Sequence, residues 1–344
     1  MTDMELGLTS FAETHRNPVT DETISHGDRL RNVIAEIELA EQVGLDVYGL
    51  GEHHRVDMAA SAVAVTLGAA AARTKRIRLS SAVIILSSAD PVRTYQEFAT
   101  LDLLSNGRAE LLVGRGSFIE SFPLFGYSLS DYDELFTEKL ELLLAIRDNE
   151  HVNWSGKFRS PLVEQAIYPR SQQQPLPVWI GVGGTPASMV RAGTLGLPVA
   201  LAIIGGDPAR FRVLVDIYHR ALRDAGNDPA DFPLAVHALG HIADDADQAS
   251  EAIYPGFTEI MNKIGRERGW PPLTREQYDW MRSPEGSLVV GDPTTVAAKI
   301  LRWREILGIE RFMLHTSAGT LPHEDTLRSI ELLGTEVSPL VRGR

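Results

Sequence analysis

Four short stretches hold side chains that could do chemistry, and each stands where an apolar run stops. Gly114-Arg115-Gly116 follows the run from Ala109 to Val113. Glycine on both sides lets the backbone come close to a ligand and leaves the guanidinium free to grip an anion. An ordinary turn, with its arginine on a surface carboxylate, uses the same residues. Gly183-Gly184-Thr185-Pro186-Ala187-Ser188 is the stronger anion candidate. Its glycines let the backbone close on a phosphate, Pro186 opens a helix whose free N–H groups face that anion, and Thr185 and Ser188 add hydroxyls. A plain strand-to-helix turn also fits, but Arg115 supplies the countercharge a phosphate needs.

Glu52-His53-His54 is the third stretch. His53 suits a general acid or base, the alternative being one core and one solvated histidine. No metal is expected, because adjacent histidines point apart and no third ligand stands at a diagnostic spacing. Ser10-Phe11 ends the first apolar run. Within the run 77–86, Ser80-Ser81-Ala82-Val83 is small where its neighbours are large. That leaves room for a flat ring, or serves close packing.

These stretches share a face only if the runs before them are parallel strands. The chain reads as about eight strand-then-helix units, the number of a (β/α)8 TIM barrel, with continuous apolar runs suited to strands buried on both faces. The strands are expected at 5–11, 45–50, 77–86, 109–113, 177–182, 197–204, 234–242 and 310–315. Asp90-Pro91 starts a helix that Asn106-Gly107 ends. Residues 150–175 break the rhythm with a small hairpin near 152–158. An irregular insertion before the last unit, 249–289, carries Trp270, Tyr278 and Trp280, and suits a lid. The expected α/β architecture is one domain over 1–344, with 249–289 as its lid.

The 344 residues include no cysteine, which removes disulfides and thiol nucleophiles. A net charge of −13 argues against nucleic acid partners. The first residues lack a signal-peptide pattern and no run reaches the ~20 apolar residues of a membrane helix, so a cytoplasmic protein is expected.

In order, Gly-Leu-Gly-Glu-His-His (49–54), Ala-Arg-Thr-Lys-Arg-Ile-Arg-Leu (72–79), Asp-Pro-Val-Arg (90–93), Leu-Asp-Leu-Leu-Ser-Asn-Gly-Arg-Ala-Glu (101–110), Val-Gly-Arg-Gly (113–116), Tyr-Pro-Arg (168–170), Pro-Val-Trp-Ile-Gly (177–181) and Gly-Thr-Glu-Val-Ser-Pro (334–339) resemble the luciferase-like flavin monooxygenase superfamily. That group contains bacterial luciferase, alkanesulfonate monooxygenase and deazaflavin-dependent reductases. The resemblance implies FMN at the carboxyl mouth of the barrel. Gly114, Arg115 and Gly116 would touch the flavin, with Arg115 near its phosphate. Gly183, Gly184, Thr185 and Ser188 match the phosphate turn. Ala82 and Val83 match the place of a non-proline cis peptide under the ring. His53 matches the histidine acting as acid or base, and Ser10 and Phe11 line the same mouth. Gly114 stands where luciferase has cysteine, and Gly183-Gly184 where it has a glutamate-serine pair, which brings the turn closer to the alkanesulfonate type.

The expected activity is therefore an FMN-dependent monooxygenase acting on a small organic substrate with O2. Reduced FMN would come from a separate flavin reductase, since the chain has no dinucleotide turn of its own. The alternatives are an F420-dependent hydride-transfer oxidoreductase and a non-catalytic flavin-binding protein. A homodimer is implied by the resemblance.

Overall fold

The apolar runs become strands that close on themselves. The computed structural model describes residues 4–317 and 320–343. The strands are β1 (Glu5–Ser10), β2 (Val47–Leu50), β3 (Arg78–Ser81), β4 (Ile84–Ile85), β5 (Ala109–Gly114), β6 (His151–Trp154), β7 (Leu162–Ala166), β8 (Val178–Val182), β9 (Val199–Ala202), β10 (Leu234–Ile242), β11 (Val289–Gly291) and β12 (Arg311–His315). The helices are α1 (His26–Gln42), α2 (Val63–Ala71), α3 (Pro91–Ser105), α4 (Ser121–Leu124), α5 (Tyr132–Asp148) and α6 (Pro186–Thr194). They continue with α7 (Arg212–Asp224), α8 (Ala246–Arg268), α9 (Arg275–Arg282), α10 (Pro293–Leu307), α11 (His323–Leu332) and α12 (Ser338–Arg342).

In the order β1, β2, β3, β5, β8, β9, β10, β12 each strand pairs in parallel with the next, and β12 returns to β1. The result is the expected closed eight-stranded (β/α)8 TIM barrel. Outward side chains such as Leu6, Leu79, Leu111, Ile180, Val236 and Phe312 are buried in one continuous apolar layer under the helices. Inside, Leu112, Trp179, Ala200 and Ala235 plug the barrel. Below the plug, Arg311 pairs with Glu5 at 2.7 Å and with Glu110 at 2.6 Å, and Arg78 joins both carboxylates. Buried charges survive there because each is paired.

Local chemistry sets the ends. Asp90 accepts from the N–H groups of Val92 and Arg93, Pro91 opens α3, and Asn106 ends it at φ 58°. The strand expected over 77–86 is instead divided at Ala82-Val83. Between the pairings Ser80↔Glu110 and Ile84↔Val113 this strand runs one residue longer than β5, which makes a bulge. The Ser81 hydroxyl fills the broken ladder, donating to Leu112 O at 2.8 Å and accepting from Leu112 N at 2.9 Å. The small hairpin is β6 with β7, and its second strand lies beyond the expected range because β7 is mostly exposed and polar.

The insertion is regular, against expectation. Its residues form α8, α9 and β11, the last pairing with the end of β10. Pro255 inside α8 and the nearby glycines hide its helical period in the sequence. Ile253, Phe257, Tyr278, Leu288 and Val290 give this segment its own apolar cluster. Lys299 of α10 donates to the carbonyls of Ser283 and Leu288, both at 2.7 Å, and so ties the end of α9 to the barrel wall. Among the described residues no helix is long and apolar enough to cross a membrane.

Candidate active site

The carboxyl mouth of the barrel has two unlike halves. On β2, β5 and β8 the residues at the mouth are glycines, and geometry requires them. A Cβ on Gly49 would stand 2.8 Å from the Ala82 Cβ, and one on Gly51 would stand 2.7 Å from the Ala82 carbonyl oxygen. A Cβ on Gly114 or Gly181 would meet the Val83 side chain at 2.8 and 2.7 Å. The missing side chains let Ala82-Val83 lie as a half-buried shelf above the plug. The Ala82–Val83 peptide is cis. Glu52 fixes the shelf from the side: its N–H donates to Val83 O at 3.0 Å, and its carboxylate accepts from Ile85 N at 2.8 Å. The other carboxylate oxygen lies 2.7 Å from His54 Nε2. Gly114 therefore seats Val83, which is a different reason for glycine than close approach of a ligand.

At the outer edge of this half stands the anion cradle. Arg115 reaches Ser188 Oγ at 3.4 Å and Thr185 Oγ1 at 3.5 Å, so the two predicted anion stretches meet. Thr185 is the N-cap of α6 but its hydroxyl makes no capping bond, and a Cβ on Gly183 would meet nothing within 4 Å. Gly184 sits at φ 112°, where side chains are strained. An open space is left between a guanidinium, two hydroxyls and a helix N-terminus. Arg115 also donates to Asp133 at 2.6 Å, an exposed carboxylate on α5. Gly116 turns at φ 79°, and its carbonyl accepts from the Tyr132 hydroxyl at 2.7 Å.

On the other half, β1, β10 and β12 carry large rings. Phe11 packs at 4.5 Å from the His53 ring, 4.3 Å from His315 and 6.1 Å from His237. Phe118 closes on the far side of His53, at 5.4 Å and nearly edge-on. His53 is pushed down to about 4 by burial, against the pull of the Glu13 charge. Burial pushes His237 to about 3. Both rings are therefore neutral at pH 7. His53 Nδ1 and His237 Nε2 are buried with no hydrogen-bond partner among the described residues. His315 differs, because both its nitrogens are held, Nδ1 by Thr9 Oγ1 at 3.1 Å and Nε2 by Glu13 Oε1 at 2.7 Å. Burial would raise the Glu13 carboxyl, but the charge and hydrogen bond of His315, with smaller help from Ser317 and Arg29, hold it near 2.

The C-terminal part of α8 reaches the loops that carry these rings. Its Glu267 pairs with Arg55, which also binds Asp57 and Glu120, and its Lys263 pairs with Asp57. The Arg55 guanidinium lies 4.6 Å above the Phe118 ring. Arg268 lies 5.9 Å from the same ring.

Phe11, His53, Ala82, Val83, Gly114, Arg115, Gly183, Gly184, Thr185 and Ser188 thus come to one mouth. Ser10 lies beneath it: the residue is fully buried, and its hydroxyl accepts from Ala12 N and Arg29 and bonds Ser317. Sequence reading missed Glu13, His237 and His315. A lone histidine in an apolar strand reads as core, and Glu13 meets His315 only across the closure of the barrel.

The monooxygenase RslO1 of Streptomyces bottropensis shares the fold at TM-score 0.83 and 23% identity, over 98% of this chain and 99% of that one. The oxygenating constituent of 3,6-diketocamphane monooxygenase of Pseudomonas putida, solved in complex with FMN, aligns at TM-score 0.77 and 20% identity, over 98% of this chain and 99% of that one. In sequence, the F420-dependent glucose-6-phosphate dehydrogenase of Amycolatopsis mediterranei is 34% identical over 175 residues, covering 48% of this chain and 51% of the relative. The description "luciferase-like monooxygenase" matches residues 4–310, and the chain, an oxidoreductase on a TIM barrel, belongs to that family.

Proposed function

We propose that this protein is a monooxygenase that binds reduced FMN, delivered by a separate reductase, and oxygenates a small organic substrate at the barrel mouth. The mouth fits such a cofactor: an open anion cradle lies on the same side as the Ala82-Val83 shelf, and His53 and His237 bring orphaned imidazole nitrogens to the same mouth. Arg115, Thr185, Ser188 and the Gly183 turn would hold the phosphate, and the Ala82-Val83 shelf would carry the ring. A bound reduced flavin supplies two electrons and the place where O2 is activated, one oxygen atom going to the substrate and the other to water.

His53, neutral at pH 7, is ready to accept a proton at a buried nitrogen, and Phe11 and Phe118 fix the plane of its ring. In this reading α8 is the cover that keeps water out, latched through Arg55 and Asp57 to the loop that carries His53.

The observation that favours FMN over a deazaflavin is the acidic ground beside Arg115. Asp133, Glu134, Glu138 and Glu141 line the cavity next to it against a single cation, Lys157, which pairs with Glu134, so the lining keeps a net negative charge. FMN ends at its phosphate, whereas F420 continues from that group into glutamates, which these carboxylates would repel. The F420-dependent relative keeps the second reading in play. Titration of the purified protein with FMN and with F420, followed by tryptophan fluorescence, decides between them. Tighter binding of FMN is expected, and tighter binding of F420 would overturn the proposal.

A further inference from the structure

We propose that His237 binds the organic substrate, and that this substrate is an uncharged ring compound presenting a hydroxyl or carbonyl oxygen. The inference rests on the mouth being the oxidoreductase site. His237 lies on β10 opposite Ala202 on β9 and Met313 on β12, at the level of the shelf. It is half-buried, as are Phe11 at 6.1 Å from its ring and the strand neighbours Ala202 and Leu239, while Ala235 is fully buried. Its Nε2 has no partner among the described residues, in a site where the Glu13, Glu52, His54 and His315 side chains are all engaged. An orphaned imidazole nitrogen destabilises the fold unless a ligand satisfies it.

The neighbours set the class of ligand. Of the rings packed on Phe11, His315 has both nitrogens committed, so His53 and His237 are the ones that can meet an incoming oxygen. A neutral imidazole can donate to a carbonyl or accept from a hydroxyl. Neither ring offers the positive charge that a sulfonate or carboxylate requires. Glu13 adds a carboxylate to the wall. Of the cations near it, Arg55 is already bound by Asp57, Glu120 and Glu267, Lys263 by Asp57, and Arg268 lies over the Phe118 and Trp270 rings and donates to Ser117 O. The wall around His237 is apolar or aromatic, with Phe11 at 6.1 Å and Ala202 and Met313 in register beside it, which suits an apolar ring.

Equilibrium dialysis of the full chain against 2-naphthol and against naphthalene-2-sulfonate, with and without FMN, tests this. The two probes share a ring system and differ in charge. Wild type should bind 2-naphthol, with the sulfonate about tenfold weaker or worse. His237→Phe should weaken 2-naphthol about three- to tenfold, and His237→Gln, which keeps a hydrogen-bonding group, should restore most of it. FMN affinity should be equal in all three proteins, which also shows that the variants fold. Equal binding of the two probes, or unchanged naphthol affinity in His237→Phe, overturns the inference. Failure of FMN to bind wild type while the naphthol contrast holds counts against the flavin reading and for the His237 assignment.

Discussion

The two halves of the mouth reach their shapes by opposite means. On the shelf side, Gly49, Gly51, Gly114 and Gly181 do their work by having no side chain, so the recognition surface is backbone and one short dipeptide. On the ring side, Phe11, His53, His237 and His315 crowd together and the surface is all side chain. The shelf side is suited to holding a large rigid group by shape, with positive charge at its rim from Arg115 and the Glu52 carboxylate tied up in fixing the shelf. The ring side is suited to moving protons and sorting substrates. Binding and chemistry should therefore fail separately when each half is damaged.

The sharpest test of that separation is His53→Ala. Turnover should fall by about 10²–10⁴-fold, the usual worth of a general base, with FMN affinity changed less than about twofold. A parallel loss of FMN binding would break the division. The converse variant, Arg115→Ala, should weaken FMN about ten- to hundredfold in a fluorescence titration and leave turnover at saturating FMN close to wild type. Arg115→Lys should fall between, since an ammonium keeps the charge without the planar fork.

Gly51 stands between the halves, where a Cβ would come 2.4 Å from the Phe11 ring and 2.7 Å from the Ala82 carbonyl oxygen. Gly51→Ala should cost about 1–3 kcal/mol in urea unfolding, the range for overpacking. A neutral result would show that the shelf can yield.

Acid should separate the halves more gently. From 6.5 downward the unfolded chain takes up protons that the folded His53 and His237 refuse until about 4 and 3. Stability is therefore fully present above 6.5 and falls as pH drops through this window, by up to about 1.4 kcal/mol per pH unit for each ring. His241, also buried and held to about 4, adds to the same slope. Glu13 acts later, its contribution lost between 4.5 and about 2. His237→Gln should flatten the slope between pH 6.5 and 4.5 in thermal melts, and an unchanged slope would place the acid sensitivity elsewhere.

The shelf side was the more legible in the sequence. Gly114-Arg115-Gly116 and the Gly183 turn are each explained by an ordinary turn, and they become legible as a pair because one offers the countercharge that the other's anion would need and the apolar runs before them fix where they stand. The bulge at Ala82-Val83 was not readable as a break, since Ile77 to Leu86 holds no proline or glycine and reads as one strand; what divides it is the mismatch with β5 and the Ser81 hydroxyl that repairs it. The ring side was half hidden. His53 sits two residues past Gly51 at a strand end, but His237 and His315 are single histidines inside apolar strands, and their meaning comes from neighbours on other strands. The helices of 246–282 were masked by Pro255, and by a face that packs mainly on its own small cluster.

The Glu13–His315 contact spans the seam where β12 meets β1. Its consequence appears in the order of synthesis. The anion cradle and the shelf are complete once β8 and α6 exist, when much of the chain is still to come. The ring side lacks His237 until β10 and His315 until the closing strand arrives. On the proposed reading the phosphate-gripping residues and His53 are made early, and the wall of His237 and His315 that completes the surroundings of His53 comes only as the barrel shuts.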